Sequence, residues 1–147
     1  MTAYVGIDLH RRRSVVVCLD EGGERLWWRR IENSPQTLME VVAEAGPAPE
    51  VVIEATWGWY WAADVVTEAG GRVHLAHPLG IKGYENRRVK TDLADAFLLA
   101  DLLRMGRLPE SWIPPHFDSG ATGVGQIPSQ TVPAPQWVEG TGARGVG

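Results

Sequence analysis

Ala3-Tyr4-Val5-Gly6-Ile7-Asp8-Leu9 alternates as a strand does, with Val5, Ile7 and Leu9 on one face and Tyr4, Gly6 and Asp8 on the other. Gly6 inside such a run signals close approach by a backbone or a ligand. Asp8 lies on the less apolar face, where a lone charge is costly unless it is paired or bound to a cation. Moving outward, His10-Arg11-Arg12-Arg13 is a turn and Ser14 to Asp20 a returning strand. Glu21-Gly22-Gly23-Glu24 turns again. Arg25 to Asn33 is a third strand, with Leu26, Trp28 and Arg30 alternating against Trp27, Arg29 and Ile31. Three strands joined by short turns predict an antiparallel meander.

The pattern then changes period. Ser34 is a helix N-cap with Pro35 at the first position, and Leu38, Val41, Val42 and Ala45 form the buried stripe up to Gly46. Glu50 to Thr56 reads as a strand, and Glu54 repeats the Asp8 theme of an acid near the end of an apolar strand. Trp57-Gly58-Trp59-Tyr60-Trp61 opens a second helix that runs to Gly70-Gly71. Helix–sheet packing accounts for these aromatics before base stacking does. Arg72 to Ala76 is another strand. His74 and His77 have no cysteine or third histidine spaced to complete a zinc set. Leu79 to Val89 is a short basic connection. It leads into Lys90-Thr91-Asp92-Leu93-Ala94-Asp95-Ala96, where Thr91 caps a helix that carries Leu93, Ala96, Phe97, Leu99, Ala100 and Leu103 and ends at Met105-Gly106. Pro109 to Pro115 is extended. A meander followed by alternating helices and strands is an α/β pattern with a mixed sheet flanked by helices.

Composition bounds the function classes. The 147 residues suit one domain, and 44% are apolar, so a core is possible. There is no run of about 18 apolar residues, so no membrane span is expected. The N-terminus reads straight into a strand and is no signal peptide. Cys18 stands alone, which excludes an intramolecular disulfide and fits a reducing cytosol. It reads as a small buried strand residue. A net charge of -4 argues against a general nucleic-acid binder. Arg11-Arg12-Arg13, Arg29-Arg30 and Arg87-Arg88 with Lys90 are nonetheless local clusters able to meet phosphates or to sit as solvated turns and edges.

Asp92 and Asp95 are three apart and would share a helix face. First-turn acids favour the helix dipole on their own account. Their company upstream points further. Parallel neighbours bring their C-terminal ends together, and a crevice there is the usual ligand site. Asp8 and Glu54 could reach it, and a helix crossing that edge could add Asp92 and Asp95. Four carboxylates suit two divalent ions about 4 Å apart, an arrangement used for in-line phosphoryl transfer. No phosphate-binding loop, Ser-His-Asp order or CxxC competes.

Gly6-Ile7-Asp8-Leu9-His10, Ile53-Glu54-Ala55-Thr56 with the tryptophan-rich segment after it, and Lys90 to Ala96 together resemble the DEDD transposases of the insertion-sequence-110 family, over residues 1–115. The resemblance implies a RuvC-like, RNase H-like fold. It implies Asp8, Glu54, Asp92 and Asp95 as catalytic and metal-binding residues, Mg²⁺ as cofactor in two copies, and insertion-element DNA as substrate. Arg11, Arg12, Arg13, Arg87, Arg88 and Lys90 are then candidate nucleic-acid contacts. It further implies guidance by an element-encoded bridge RNA, assembly as a homo-oligomer, and a bacterial cytoplasmic location on the nucleoid. In the family a second domain carries a serine nucleophile, and no serine here can be assigned that role.

From His116 the composition shifts. The last 32 residues hold seven Gly and three Pro without helical or strand period, so residues 116–147 are expected to be a disordered low-complexity tail. Codons can be chosen for it that, read one base later, give a peptide rich in Arg, Lys, Glu and Leu at helical spacing. A frameshift product is therefore the expectation, and the chain would lack the part that completes strand exchange. Two other classes start from the same features. Actin-like sugar kinases also open on a Gly-Ile-Asp strand, but they need a second phosphate loop and an adenosine site, usually in a longer chain. A catalytically inactive fragment that binds RNA or DNA is the nearer alternative.

Overall fold

In a computed structural model of the protein, residues 1–56, 58–84, 91–111 and 113 are described. Met1–Ser111 form one compact unit. Its centre is a six-stranded sheet in the order β3-β2-β1-β4-β5-β6. The strands are β1 (Tyr4–Leu9), β2 (Arg13–Leu19), β3 (Arg25–Glu32), β4 (Glu50–Glu54), β5 (Arg72–Ala76) and β6 (Glu110–Ser111). The meander expected for the first three is present, antiparallel throughout. β4 joins β1 in parallel and β5 joins β4 in parallel, so the sheet is mixed.

Register assigns every side chain to a face. Tyr4, Gly6 and Asp8 stand opposite Leu19, Val17 and Val15, while Val52 pairs beside Gly6. Val15, Val17 and Leu19 form one cluster with Ala96 and Ala100 of helix α4 (Asp92–Arg104). Val52 and Ala76 form another with Leu99 and Leu102 of the same helix. The other face carries Val5, Ile7, Val16, Cys18, Val51 and Ile53, all fully buried. Helices α1 (Pro35–Glu44) and α2 (Trp59–Glu68) supply the buried residues Leu38, Val42, Ala62 and Val66. Cys18 has no exposed surface, and burial, with the charge of Asp20 adding, pushes its thiol up to about 11.

The caps follow the sequence. Ser34 accepts a hydrogen bond from the Thr37 amide and Thr91 one from the Ala94 amide, each satisfying a donor that the first turn leaves open. Gly106, with φ +71°, closes α4 in the left-handed conformation. Gly6 shows why it must lack a side chain: a Cβ there would overlap the Ala96 carbonyl oxygen and lie 2.9 Å from the Ala100 nitrogen. Helix α4 therefore rests directly on the β1 backbone. At its other end Arg104 bonds Asp101 at 2.7 Å and the Glu21 carbonyl at 3.4 Å, tying the helix to the β2–β3 turn.

Three boundaries depart from the sequence expectation. β4 stops at Glu54 and α2 begins at Trp59, with Gly58 between them at φ +86°. A one-turn helix, α3 (Pro78–Lys82), occupies the start of the expected connection. His77 caps it by accepting from the Leu79 amide. Five residues are too few to show a periodic stripe. Trp59 is 2% exposed, in keeping with a packing role, and Tyr60 stacks on it with ring centroids 4.1 Å apart. No helix among the described residues is long and apolar enough to cross a membrane.

Candidate metal centre

The C-terminal end of β1 and the N-terminus of α4 meet on one face of the sheet. Asp8 enters this space from β1, because it shares Gly6's face, and only 7% of it is exposed. Asp92 enters from the first turn of α4, below the Thr91 cap. His10, one residue past β1, folds back between them. Its Nε2 lies 2.7 Å from Asp8 Oδ2 and 3.2 Å from Asp92 Oδ1. Ligand atoms of Asp8, His10 and Asp92 all lie within 4.8 Å of one another.

The electrostatics match this geometry. Burial pushes the Asp8 carboxyl up to about 6, the hydrogen bond and charge of His10 pull it down, and the charges of Asp95 and Asp92 push it up again. Burial lowers the His10 imidazolium, but the hydrogen bond and charge of Asp8, with Asp92 adding, leave it raised above its ordinary value. A buried carboxylate facing two further acids calls for a positive partner. In this structure the partner is an imidazole nitrogen.

The four expected acids do not stand equally. Asp8 and Asp92 meet at one His10 nitrogen. Asp95, one helical turn on, is close enough for its charge to act on Asp8. Glu54 follows Ile53, which pairs with Ile7, so it sits beside Asp8 on the next strand and on Val52's face. It is outside the 4.8 Å group. Arg11 and Arg12 are exposed on the β1–β2 turn, and Arg13 is exposed at the start of β2. Arg87, Arg88 and Lys90 fall outside the described residues, as does the tail. His10 was read from sequence as a turn residue and as the end of the Gly6–His10 motif, with no place in the ligand set. The available signal was its spacing of two from Asp8, which on extended backbone returns to the same face.

The donor set is oxygen-rich with one imidazole, which suits a divalent cation such as Mg²⁺ or Mn²⁺ better than a soft one. A mixed sheet with an antiparallel meander, parallel β1–β4–β5 and an acidic helix start against the end of β1 defines the RNase H-like class. Its likeness to a solved structure agrees: RuvC of T. thermophilus, in complex with a Holliday junction substrate, matches with a TM-score of 0.55 at 17% identity over 76% of this chain and 100% of that one. The transposase family model DEDD_Tnp_IS110 matches residues 5–116. The chain belongs to that family. A curated Sinorhizobium fredii protein named as a transposase, y4qE, is 29% identical over 117 residues. The match takes in 76% of this chain and 30% of that protein, so the chain spans under a third of its relative's length.

Proposed function

We propose that the chain is the metal-dependent catalytic domain of a transposase that cleaves and transfers strands of insertion-element DNA. The observation that carries this reading is the convergence of buried Asp8 and helix-borne Asp92 on one point, 2.7 and 3.2 Å from a shared nitrogen. Asp8, Glu54, Asp92 and Asp95 would hold two Mg²⁺ ions, with His10 as a further donor. Bound divalent ions supply charge neutralisation at the attacking and leaving oxygens of an in-line phosphoryl transfer. The chain's own residues do the positioning. Gly6 seats α4 on β1, which fixes Asp92 over Asp8. Burial excludes water from Asp8, so its charge is held for a cation rather than spent on solvent. Arg11, Arg12 and Arg13, with Arg87, Arg88 and Lys90, hold the phosphates that flank the site.

The domain would span residues 1–115, with 116–147 a frameshifted extension. Guidance by a bridge RNA and a cytoplasmic, nucleoid-bound location belong to this reading through the family, as does assembly into a homo-oligomer for the full-length members. On this reading the chain alone keeps the metal fold and is inactive in strand exchange. The decisive experiment is Mg²⁺-dependent nicking of element-end DNA by the purified chain. Nicking lost in Glu54→Gln supports catalysis. A wild-type chain that binds DNA in Mg²⁺ and never nicks it favours the inactive nucleic-acid-binding fragment. Genomic DNA whose shifted frame after codon 115 runs into early stops would refute the frameshift.

A further inference from the structure

The face that carries Asp8 continues past α4 onto the outer strands. Asp8 pairs with Val15, and Val15 with Arg30. Gly6 pairs with Val17, and Val17 with Trp28. Trp28 and Arg30 therefore lie on the same face as the acids, in the same two cross-strand rows. Between them and the acids, Val15 and Val17 are buried beneath Ala96 and Ala100 of α4, with part-buried Leu93 and Phe97 packed against them, so the open part of this face is on β3. Trp28 is 38% exposed, large for an indole with core beside it. Arg30 is exposed and forms no ion pair with any described residue. The opposite face of β3 differs. There Arg29 is spent on Glu44 at 3.1 Å and on the Trp27 ring at 5.0 Å.

We propose that the exposed face of β3 beside α4, carrying Trp28 and Arg30, seats an unpaired stretch of the DNA strand that the acidic site acts on, with a base stacked on Trp28 and a phosphate on Arg30. The proposal rests on the reading above for the site, and adds a binding surface to it. Charge is the first argument. Arg30 puts on this face an exposed cation that forms no ion pair with any described residue, in a chain whose net charge is -4. An unpaired strand is the occupant because only its bases offer a free face to an indole, and aromatic stacking with a flanking cation is how such strands are held. Spacing is the second argument. Two strand separations of about 4.8 Å put Arg30 about 10 Å from Asp8, about three stacked nucleotides away. A second copy of the chain is disfavoured along β3, because Arg25, Arg29 and Arg30 would face their own kind across the edge.

The test uses the whole chain in EDTA and fluorescence anisotropy with a labelled oligothymidylate of about 16 nucleotides and a duplex of the same length. Trp28→Ala should weaken the single strand about tenfold and the duplex hardly at all, and Trp28→Phe should keep most of the affinity. Arg30→Gln, on an exposed side chain, should flatten the salt dependence by about one ion. Thermal melts establish that each variant folds. Unchanged single-strand affinity in both Trp28→Ala and Arg30→Gln overturns the proposal, as do equal losses on duplex and single strand. Sedimentation showing that Trp28→Ala only splits a dimer also overturns it and makes β3 a copy–copy interface. Because EDTA removes metal from the readout, a failure of Mg²⁺ binding at Asp8 would sink the metal centre and leave this surface standing.

Discussion

One face of the sheet carries two clusters of the same composition at its two ends. At the C-terminal end of β1, His10 meets Asp8 and Asp92. Toward the start of β4 and β5, His74 meets Glu50 and Glu110. In the first, a single nitrogen serves both acids, so three ligand atoms converge. In the second, the ring bridges: Nε2 lies 2.6 Å from Glu50 and Nδ1 3.2 Å from Glu110, so the acids are held on opposite sides of the imidazole. Arg72 also binds Glu50, at 3.2 Å. The first cluster gathers negative charge around a point and needs a cation. The second distributes its charge and is already matched. Composition alone cannot separate a metal centre from a clasp between strands; the number of nitrogens engaged does.

The sharpest way to break this contrast is divalent binding. Asp8→Asn is expected to lower Mn²⁺ or Mg²⁺ affinity by at least about 100-fold, as loss of a central carboxylate ligand should. Glu50→Gln should leave it unchanged. Calorimetric titration of both variants decides. Equal affinity in Asp8→Asn and the wild type would remove Asp8 from the ligand set, and an Asp8-like loss in Glu50→Gln would erase the distinction between the clusters.

Gly6→Ala comes next. The new methyl would overlap the Ala96 carbonyl, and backbone cannot yield as a flexible side chain can. Helix α4 must lift or tilt, at an expected cost of about 3 kcal/mol or more for overpacking against a rigid neighbour. The comparison is sharpened because α4 carries Asp92 but none of the clasp. In a variant that still folds, metal affinity should fall while the His74 resonances hold their shifts. A denaturation midpoint equal to wild type would mean that α4 does not rest on β1 as described.

Much of this was legible in the sequence, and the reason lies in range. Alternation from Ala3 to Ile31 and the caps at Ser34 and Thr91 are local signals, and Gly6 betrayed the close approach of α4 without naming its partner. The acids at Asp8, Glu54, Asp92 and Asp95 could be suspected because each sits at an element's end. The clasp was illegible. Glu50, His74 and Glu110 meet only through the parallel register that sets Glu50 beside Arg72 and the antiparallel one that sets Glu110 beside Ala76. Nothing in the sequence fixes either. α3 and β6 were too short to carry a period, and His10 looked like turn because it lies one residue past the strand.

Acidity offers a test of the first cluster. Asp8's folded value, about 6, stands above its ordinary 3.8, so between those values the metal-free native state binds more protons than the unfolded one. Stability from this group is present below about pH 4 and is lost as pH rises to about 6. His10 is raised above 6.5, so its contribution is also lost as pH rises, through its own folded value. Both push the same way. The metal-free protein should lose up to about 3 kcal/mol at Asp8 across this range, and Asp8→Asn should remove that slope. Urea titrations at pH 4 to 7.5 with and without Mg²⁺ give the difference. A slope that survives the substitution would place the proton uptake elsewhere.

The smallest effect belongs to the clasp. His74→Ala removes bonds to two carboxylates, one half-exposed, so the expected loss is about 1 kcal/mol rather than the larger figure for a buried pair. What it should change is local. β6 has only two residues, and its tie to β5 is the Leu75–Ser111 and Ala76–Glu110 pairing. Beside this pairing and the bond from the His77 amide to the Pro109 carbonyl at 2.7 Å, Glu110 is held by His74 reaching across from Glu50. Without the imidazole, the β6 amides should exchange with solvent about fivefold faster, which is the same 1 kcal/mol read locally, while amides of β1 and α4 keep their protection. Hydrogen exchange followed by NMR makes the measurement. Uniform acceleration across the sheet would show that the clasp supports the whole fold, and the two ends of this face would then be less separable than their geometry implies.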